Sequence, residues 1–162
     1  VPGQNRSAAG GWDQRFNMVE VADFLSKLRL FQHFNPEELG ILASRVRRVS
    51  LPDGPVMTEG SPPDGLYIIR SGVARVTKAS DAGSAEAVLA LLRQDDSFGE
   101  ISLIDGLPHT ASVIAMGPME CYYLERHLFV ETLEQNPSMA LSLIRSLATM
   151  VRTADDWVAR SI

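Results

Sequence analysis

The sequence predicts an α+β fold: a small antiparallel β-barrel, or jelly roll (a double-stranded β-helix), with N-terminal helices and a long C-terminal helix. Three observations predict it. Between about Leu51 and Val113, short apolar runs alternate with turn signals. Two helical patterns precede that region. A repeat of apolar residues at steps of four and three runs through the final segment, from Ser138 onward.

Residues 1–16 are Gly-, Ala- and polar-rich without a period, and are expected to be a disordered lead or a cloning remnant. Val21, Phe24, Leu25 and Leu28 recur at helical spacing, which predicts a helix from about Met18 to Leu30. Asn35-Pro36-Glu37-Glu38 reads as an N-cap, a proline at the first helical position and a capping-box glutamate. The helix it starts is expected to carry Leu39, Leu42 and Val46 inward. A first strand follows at Val46–Ser50.

Strands are then predicted at Val56–Glu59, Leu66–Arg70, Val73–Lys78 and Glu86–Leu92. They are separated by Pro52-Asp53-Gly54, by Gly60 to Gly65, by Ser71-Gly72 and by Ala82-Gly83-Ser84. Short strands with glycine turns at this spacing argue a barrel or jelly roll. Met119–Leu124 reads as the closing strand and Glu125–Leu133 as a short helix. Asn136-Pro137 starts the last helix. Its Ala140, Ile144, Leu147, Val151, Ala154 and Val158 follow coiled-coil spacing, with Leu143, Met150 and Trp157 on a flanking stripe. Two apolar stripes suit a helix that packs on its own domain and on a partner; a single wide core face is the other reading. The expected organisation is a β-barrel domain with its N-terminal helices over 17–137, then a lid or dimerisation helix over 138–162.

Composition narrows the classes. The 162 residues suffice for one domain, and 45% hydrophobic with 22% charged residues is ordinary for a globular protein. No apolar run reaches membrane-span length and no signal-peptide core is visible, so no membrane partner is expected. The net charge of −5 argues against nucleic-acid contact by this segment. Cys121 is the sole cysteine, which excludes an internal disulfide and fits a cytoplasmic setting. His33, His109 and His127 lack metal-ligand spacing, and neither a nucleophile elbow nor a Walker loop is present. An enzyme and a metal cofactor are therefore not expected.

The stretch Phe98–Val113, FGEISLIDGLPHTASV, carries the chemistry. Gly99 allows a close backbone approach. Ile101–Ile104 can form one helical turn whose first N–H groups lack partners and attract phosphate. Pro108 ends that turn, and His109 to Val113 reads as a strand-like segment in which Thr110 and Ser112 add hydroxyl donors.

This stretch resembles the phosphate-binding cassette of cyclic nucleotide-binding domains, as found in catabolite-activator-like regulators, kinase regulatory subunits and channels. Phe98, Gly99, Glu100, Ser102, Leu103, Pro108, Thr110, Ala111 and Val113 match its pattern. Gly65 to Val76 resembles the family's barrel signature, with Gly72 at a hairpin turn. The resemblance implies a regulatory sensor of cAMP or cGMP that signals through its C-terminal helix. That sensor could be part of a transcription regulator or a free-standing module. The ligand contacts it implies are Gly99, Glu100, Ile101, Ser102, His109, Thr110 and Ala111. Thr153 and Asp155 on the last helix are implied as base contacts, and a homodimer through residues 138–162 is implied as well. Glu100 would take the ribose 2′-hydroxyl.

His109 stands where the family places an arginine. Arginine offers a permanent charge and a planar fork, whereas histidine offers one bond per nitrogen and a charge only when protonated. Three readings stay open at this point: a cyclic nucleotide bound more tightly at low pH, another anionic nucleotide, or an empty pocket in a dimerisation or interaction module. A haem-sensing variant with His33 or His127 as ligand is a fourth.

Overall fold

The structure, a computed structural model, describes residues 18–80 and 86–161, with side chains through residue 154. The expectations for residues 1–16, for the Ala82-Gly83-Ser84 turn and for the side chains of Trp157 and Val158 lie outside the described residues. The chain divides into two compact units, one over Val46–Val130 and one formed by the segments on either side.

The first unit is the predicted jelly roll. Its strands are β1 (Arg47–Leu51), β2 (Gly54–Met57), β3 (Gly65–Ser71), β4 (Ala74–Ala79), β5 (Glu86–Leu92), β6 (Ser97–Phe98), β7 (Ser112–Ala115) and β8 (Met119–Glu125). They form two four-stranded sheets, ordered β1-β8-β3-β6 and β2-β7-β4-β5, with every pairing antiparallel. The strands stay in two sheets and do not close into one hydrogen-bonded barrel. The turns do what their glycines allow. Gly72, at φ +103°, reverses the chain from β3 to β4, and a Cβ there would lie 2.9 Å from the Pro118 carbonyl oxygen.

Alternation along the strands builds the core between the sheets. Tyr67 and Ile69 of β3 meet Met119, Cys121 and Tyr123 of β8, together with Met57, Ala74, Phe98, Val113 and Ala115. The Tyr67 ring stacks on Phe98 with centroids 4.9 Å apart and lies 4.6 Å from Tyr123. Each such ring removes a large apolar area from water, worth about 1.5–3 kcal/mol. Leu66, Ile68, Tyr122 and Leu124, on the opposite faces of the same two strands, are buried as well. Strand β5 is the exception. It pairs with β4 alone and exposes residues on both faces, including Val88 and Leu89.

The helical unit begins with α1, residues 18–26, which bury Val21 and Leu25. The helix ends earlier than its apolar spacing suggests. Three-residue-back bonds from Lys27 and Leu28 tighten the chain into a 3₁₀ turn at Arg29–Phe31, which buries Leu30 and Phe31. Helix α2 (Pro36–Ala43) has the predicted capping box: the Asn35 side chain accepts from Glu38 N and the Glu38 carboxylate accepts from Asn35 N. Leu39 and Leu42 are buried, but α2 stops before Val46, which is half-buried outside it.

Helix α5 (Pro137–Ser161) packs on the 3₁₀ turn and buries Met139 and Leu143. The Glu38 carboxylate also accepts from Ser142 Oγ at 2.9 Å and Ser138 Oγ at 3.2 Å, so one buried carboxylate ties α2 to α5. Ser146 Oγ accepts from His33 N. Ile144 and Val151, on the predicted coiled-coil stripe, are 60% and 61% exposed, whereas Leu143 of the flanking stripe is buried. Helix α4 (Arg126–Gln135) contains the boundary between the units.

Burial pushes the Cys121 thiol up from 9.0 to about 11, with Glu120 adding to the effect. Burial foremost, then the Asp64 and Glu125 charges, pushes the Tyr123 phenol from 10.0 to about 12. Both folded-state values are raised, so their stabilisation is whole below the unfolded-state values and is lost as pH rises. Urea midpoints are expected to hold up to about pH 9 and to fall progressively toward pH 12. A flat profile across that window would contradict the burial of these two groups.

Candidate functional site

The site is built on the β6–β7 connection. The chain leaves β6 at Phe98, whose ring is fixed by Tyr67, and turns through Gly99 at φ +94°. A Cβ at Gly99 would collide with the Gly65 carbonyl oxygen and come within 3.2 Å of Met57 Cε. The turn therefore needs glycine on both conformational and spatial grounds. Helix α3 (Glu100–Asp105) starts directly after it and ends at Gly106, at φ +69°. Its first N–H groups have no acceptor within the helix.

Beyond α3, the expected strand-like segment from His109 is corrected in part. Strand β7 begins only at Ser112. His109 is held instead by two backbone bonds to the loop before β3: its N–H donates to Ser61 O at 3.0 Å and its carbonyl accepts from Gly60 N at 2.8 Å. Bonds to a loop replace a sheet ladder there. Ser112 sits at the start of β7, where its hydroxyl accepts the Glu59 backbone N–H at 2.9 Å.

A cavity of about 210 Å³ opens between these segments. Gly99, Glu100, Ile101, Ser102, His109, Thr110 and Ala111, all anticipated from sequence, line it together. Its apolar walls are Met57, Val76, Leu92, Phe98 and Val113. Phe98 and Val113 belong to the matched cassette pattern, whereas Met57, Val76 and Leu92 were not singled out for the site, because strand positions of this kind read as plain core. Ser97 also lines the cavity and donates its hydroxyl to the Glu100 carboxylate. Thr153 belongs to the helical unit, where its hydroxyl bonds to Thr149 O at 2.9 Å. The Asp155 side chain lies outside the described residues.

His109 is buried, and its Nε2 lies 3.0 Å from Asp64 Oδ1. Asp64 is a hub. Its other carboxylate oxygen accepts from Tyr67 OH at 3.2 Å, and Oδ1 also accepts from Gly65 N at 2.9 Å. Its carbonyl accepts from Tyr123 OH at 3.0 Å and from Arg126 N at 2.9 Å. Burial above all, followed by the Asp64 charge, pushes the Tyr67 phenol upward. Both phenols therefore stay protonated at neutral pH and act as donors. Arg126 Nε also reaches Ser102 O at 3.2 Å, tying α3 to the start of α4. Sequence reasoning missed Asp64, which reads locally as a turn residue in Pro63-Asp64-Gly65.

Among the described lining residues, His109 is the one side chain able to carry positive charge, and Glu100 is the one carboxylate. Such a cavity offers helix N–H groups, hydroxyls and a histidine to an anion, a carboxylate to a sugar hydroxyl and apolar walls to a ring. No group of three or more His, Cys, Asp or Glu among the described residues is placed to hold a metal. No described helix is long and apolar enough to cross a membrane.

Comparison with known proteins agrees with this geometry. A family profile for the cyclic nucleotide-binding domain matches residues 48–136, more than half of the chain. The CRP-like cAMP-activated global transcriptional regulator of Mycobacterium tuberculosis is 28% identical over 138 residues, covering 85% of this chain and 61% of that protein. The cyclic AMP receptor protein of Thermus thermophilus is 33% identical over 127 residues, covering 78% and 58%. The N-terminal domain of a transcriptional regulator from Streptomyces coelicolor A3(2) superposes with a TM-score of 0.73 at 28% identity, covering 83% of this chain and 94% of that one. The chain thus spans about 60% of the length of these two full-length regulators.

The glycine turn yields a direct test. Gly99→Ala is expected to cost about 2–4 kcal/mol, combining left-handed strain with overpacking against Gly65. Gly40→Ala, in the interior of α2 with open space around its Cβ, is expected to gain about 0.5–1 kcal/mol. Urea denaturation of both variants checks the contrast.

Proposed function

The chain belongs to the cyclic nucleotide-binding domain family, and we propose that its cavity binds a cyclic nucleotide, cAMP before cGMP, as a regulatory and non-catalytic signal. The observation that carries this reading is the convergence of seven cassette residues on one cavity. In it, the cyclic phosphate lies against the first turn of α3, with His109 and Thr110 completing the cradle. Glu100 accepts from the ribose 2′-hydroxyl, exchanging its bond from Ser97 for one from the ligand. Met57, Val76 and Leu92 supply apolar walls for the rest of the nucleotide. The names of the bacterial relatives, a cAMP-activated regulator and a cyclic AMP receptor, favour cAMP.

The output in this reading passes through α5, acting as lid and dimerisation helix in a cytoplasmic protein. Support comes from Ile144 and Val151, two apolar side chains one heptad apart and both exposed on the described chain. The two bacterial relatives are longer than the stretch this chain matches, and their remaining length leaves room for a separate effector that would carry any DNA contact. A second reading has its own observation. Histidine at the arginine position, already engaged by Asp64, suits a dimerisation module whose pocket binds nothing.

Calorimetry with cAMP, cGMP and a cyclic dinucleotide at about pH 6 decides between these readings. Saturable cAMP binding is expected. At about pH 8, His109→Arg is expected to bind at least about tenfold more tightly, because a bidentate, permanently charged partner replaces a single-bond one. Silence from both proteins at either pH supports the empty module. For α5, Ile144→Asp with Val151→Asp is expected to turn a dimer into a monomer in sedimentation while leaving the circular dichroism unchanged. A monomeric native chain removes the dimer proposal.

A further inference from the structure

We propose that Asp64 and His109 form a proton-coupled anion clamp, in which His109 Nδ1 donates to a ligand phosphate only while the imidazole carries both of its protons. This rests on the nucleotide-binding reading of the same cavity and specifies how that cavity is regulated.

The argument starts from the direction of one hydrogen bond. His109 Nε2 lies 3.0 Å from Asp64 Oδ1. An ionised carboxylate only accepts, so Nε2 carries the hydrogen. In a neutral ring, Nδ1 is then a lone-pair acceptor. His109 lines the cavity, and nothing among the described residues bonds to its Nδ1, so Nδ1 is the nitrogen left for a ligand. A lone pair facing phosphate oxygens repels them. Protonation reverses this at one stroke: Nδ1 becomes a donor and the ring becomes a cation beside the phosphate. The backbone bonds to Ser61 and Gly60 hold the residue in place. Asp64, which does not reach the cavity lining, is a positioning residue.

The surrounding charges sharpen the effect. Glu100 on α3 shares the cavity with His109. Asp64 faces the ring from the loop before β3, and Glu59 on the same connection binds Ala79 N. Tyr67 of β3 and Tyr123 of β8 bond to Asp64 as neutral phenols. Arg126, at the start of α4, is engaged with Ser102 O and does not line the cavity. With a neutral His109, the described lining therefore bears the Glu100 charge alone and disfavours an anion. With a protonated ring, one of the two carboxylate charges around it, Asp64 and Glu100, is offset, and an anionic ligand gains the Nδ1 donor.

The test is cAMP calorimetry on the full chain from about pH 5.5 to 8.5, in buffers of differing ionisation enthalpy. Nitrogen-15 NMR of the histidine ring without ligand accompanies it. Affinity is expected to fall by up to about tenfold per pH unit on the alkaline limb, with proton uptake approaching one per ligand bound. His109→Arg is expected to bind with little pH dependence. Asp64→Asn keeps an acceptor for Nε2 but removes the charge that stabilises the imidazolium, so its loss of affinity should begin at lower pH. The neutral ring of the native chain should carry its proton on Nε2. Equal cAMP affinity at pH 5.5 and 8.5 without proton uptake overturns the clamp and leaves the nucleotide reading standing. A neutral ring protonated on Nδ1, or an unshifted profile in a folded Asp64→Asn variant, also overturns the clamp. Absence of binding by both the native chain and His109→Arg at every pH overturns the clamp and the nucleotide reading together.

Discussion

The Asp64 carboxylate and carbonyl gather the parts of the strand unit on which the candidate site depends. Through side chain and backbone, this residue receives His109 from the cassette, Tyr67 from β3, Tyr123 from β8 and the first N–H of α4. A charge that accepts several bonds is costly to disturb, since each donor left behind would be partly buried and unsatisfied. The core rings bring their hydroxyls to the same point, so packing and polar satisfaction support each other. That mutual support holds the cassette beside the sheet edge.

The cassette depends equally on an empty space. Gly99 passes so close to the Gly65 carbonyl that no side chain fits between them. Gly65 is crowded in turn, since a Cβ there would meet the Tyr123 ring at 2.8 Å. Two glycines from distant positions thus let three backbone segments approach one another. The short helix after Gly99 can then present its unpaired N–H groups to a cavity rather than bury them in the core.

The helical unit follows a different logic. Its interior is apolar around Leu25, Leu42, Phe31 and Met139, yet α5 also meets it through a line of small hydroxyls at Ser138, Ser142 and Ser146. Buried hydrogen bonds add little net stability compared with apolar contact, but they fix register. The opposite stripe of α5 keeps Ile144 and Val151 in water. The helix therefore turns Met139, Leu143 and its bonded serines inward and leaves Ile144 and Val151 outward.

How much of this was legible in the sequence follows the range of the interactions involved. The Asn35 capping box, the Gly72 hairpin, most strand positions and the start of α5 at Pro137 are local, so spacing and turn chemistry specify them; β2 lies two residues earlier than expected and the two-residue β6 was not anticipated. The cassette was legible for the same reason, because its turn, its helix start and its proline break are contiguous. The absence of strand pairing at His109 was not legible, since its bonds go to Gly60 and Ser61 far back in the chain; the early end of α1 comes from local 3₁₀-type bonds that apolar spacing does not specify. Least legible were the long-range polar ties. Asp64 meets His109 across 45 positions and Glu38 meets Ser142 across 104. Nothing in the local grammar around either carboxylate distinguishes it from a turn or capping residue. The sequence by itself determined which elements form and where an anion cradle can be made. Tertiary structure alone decided what the histidine of that cradle hydrogen-bonds to, because only the packed sheets bring the Asp64 loop against it.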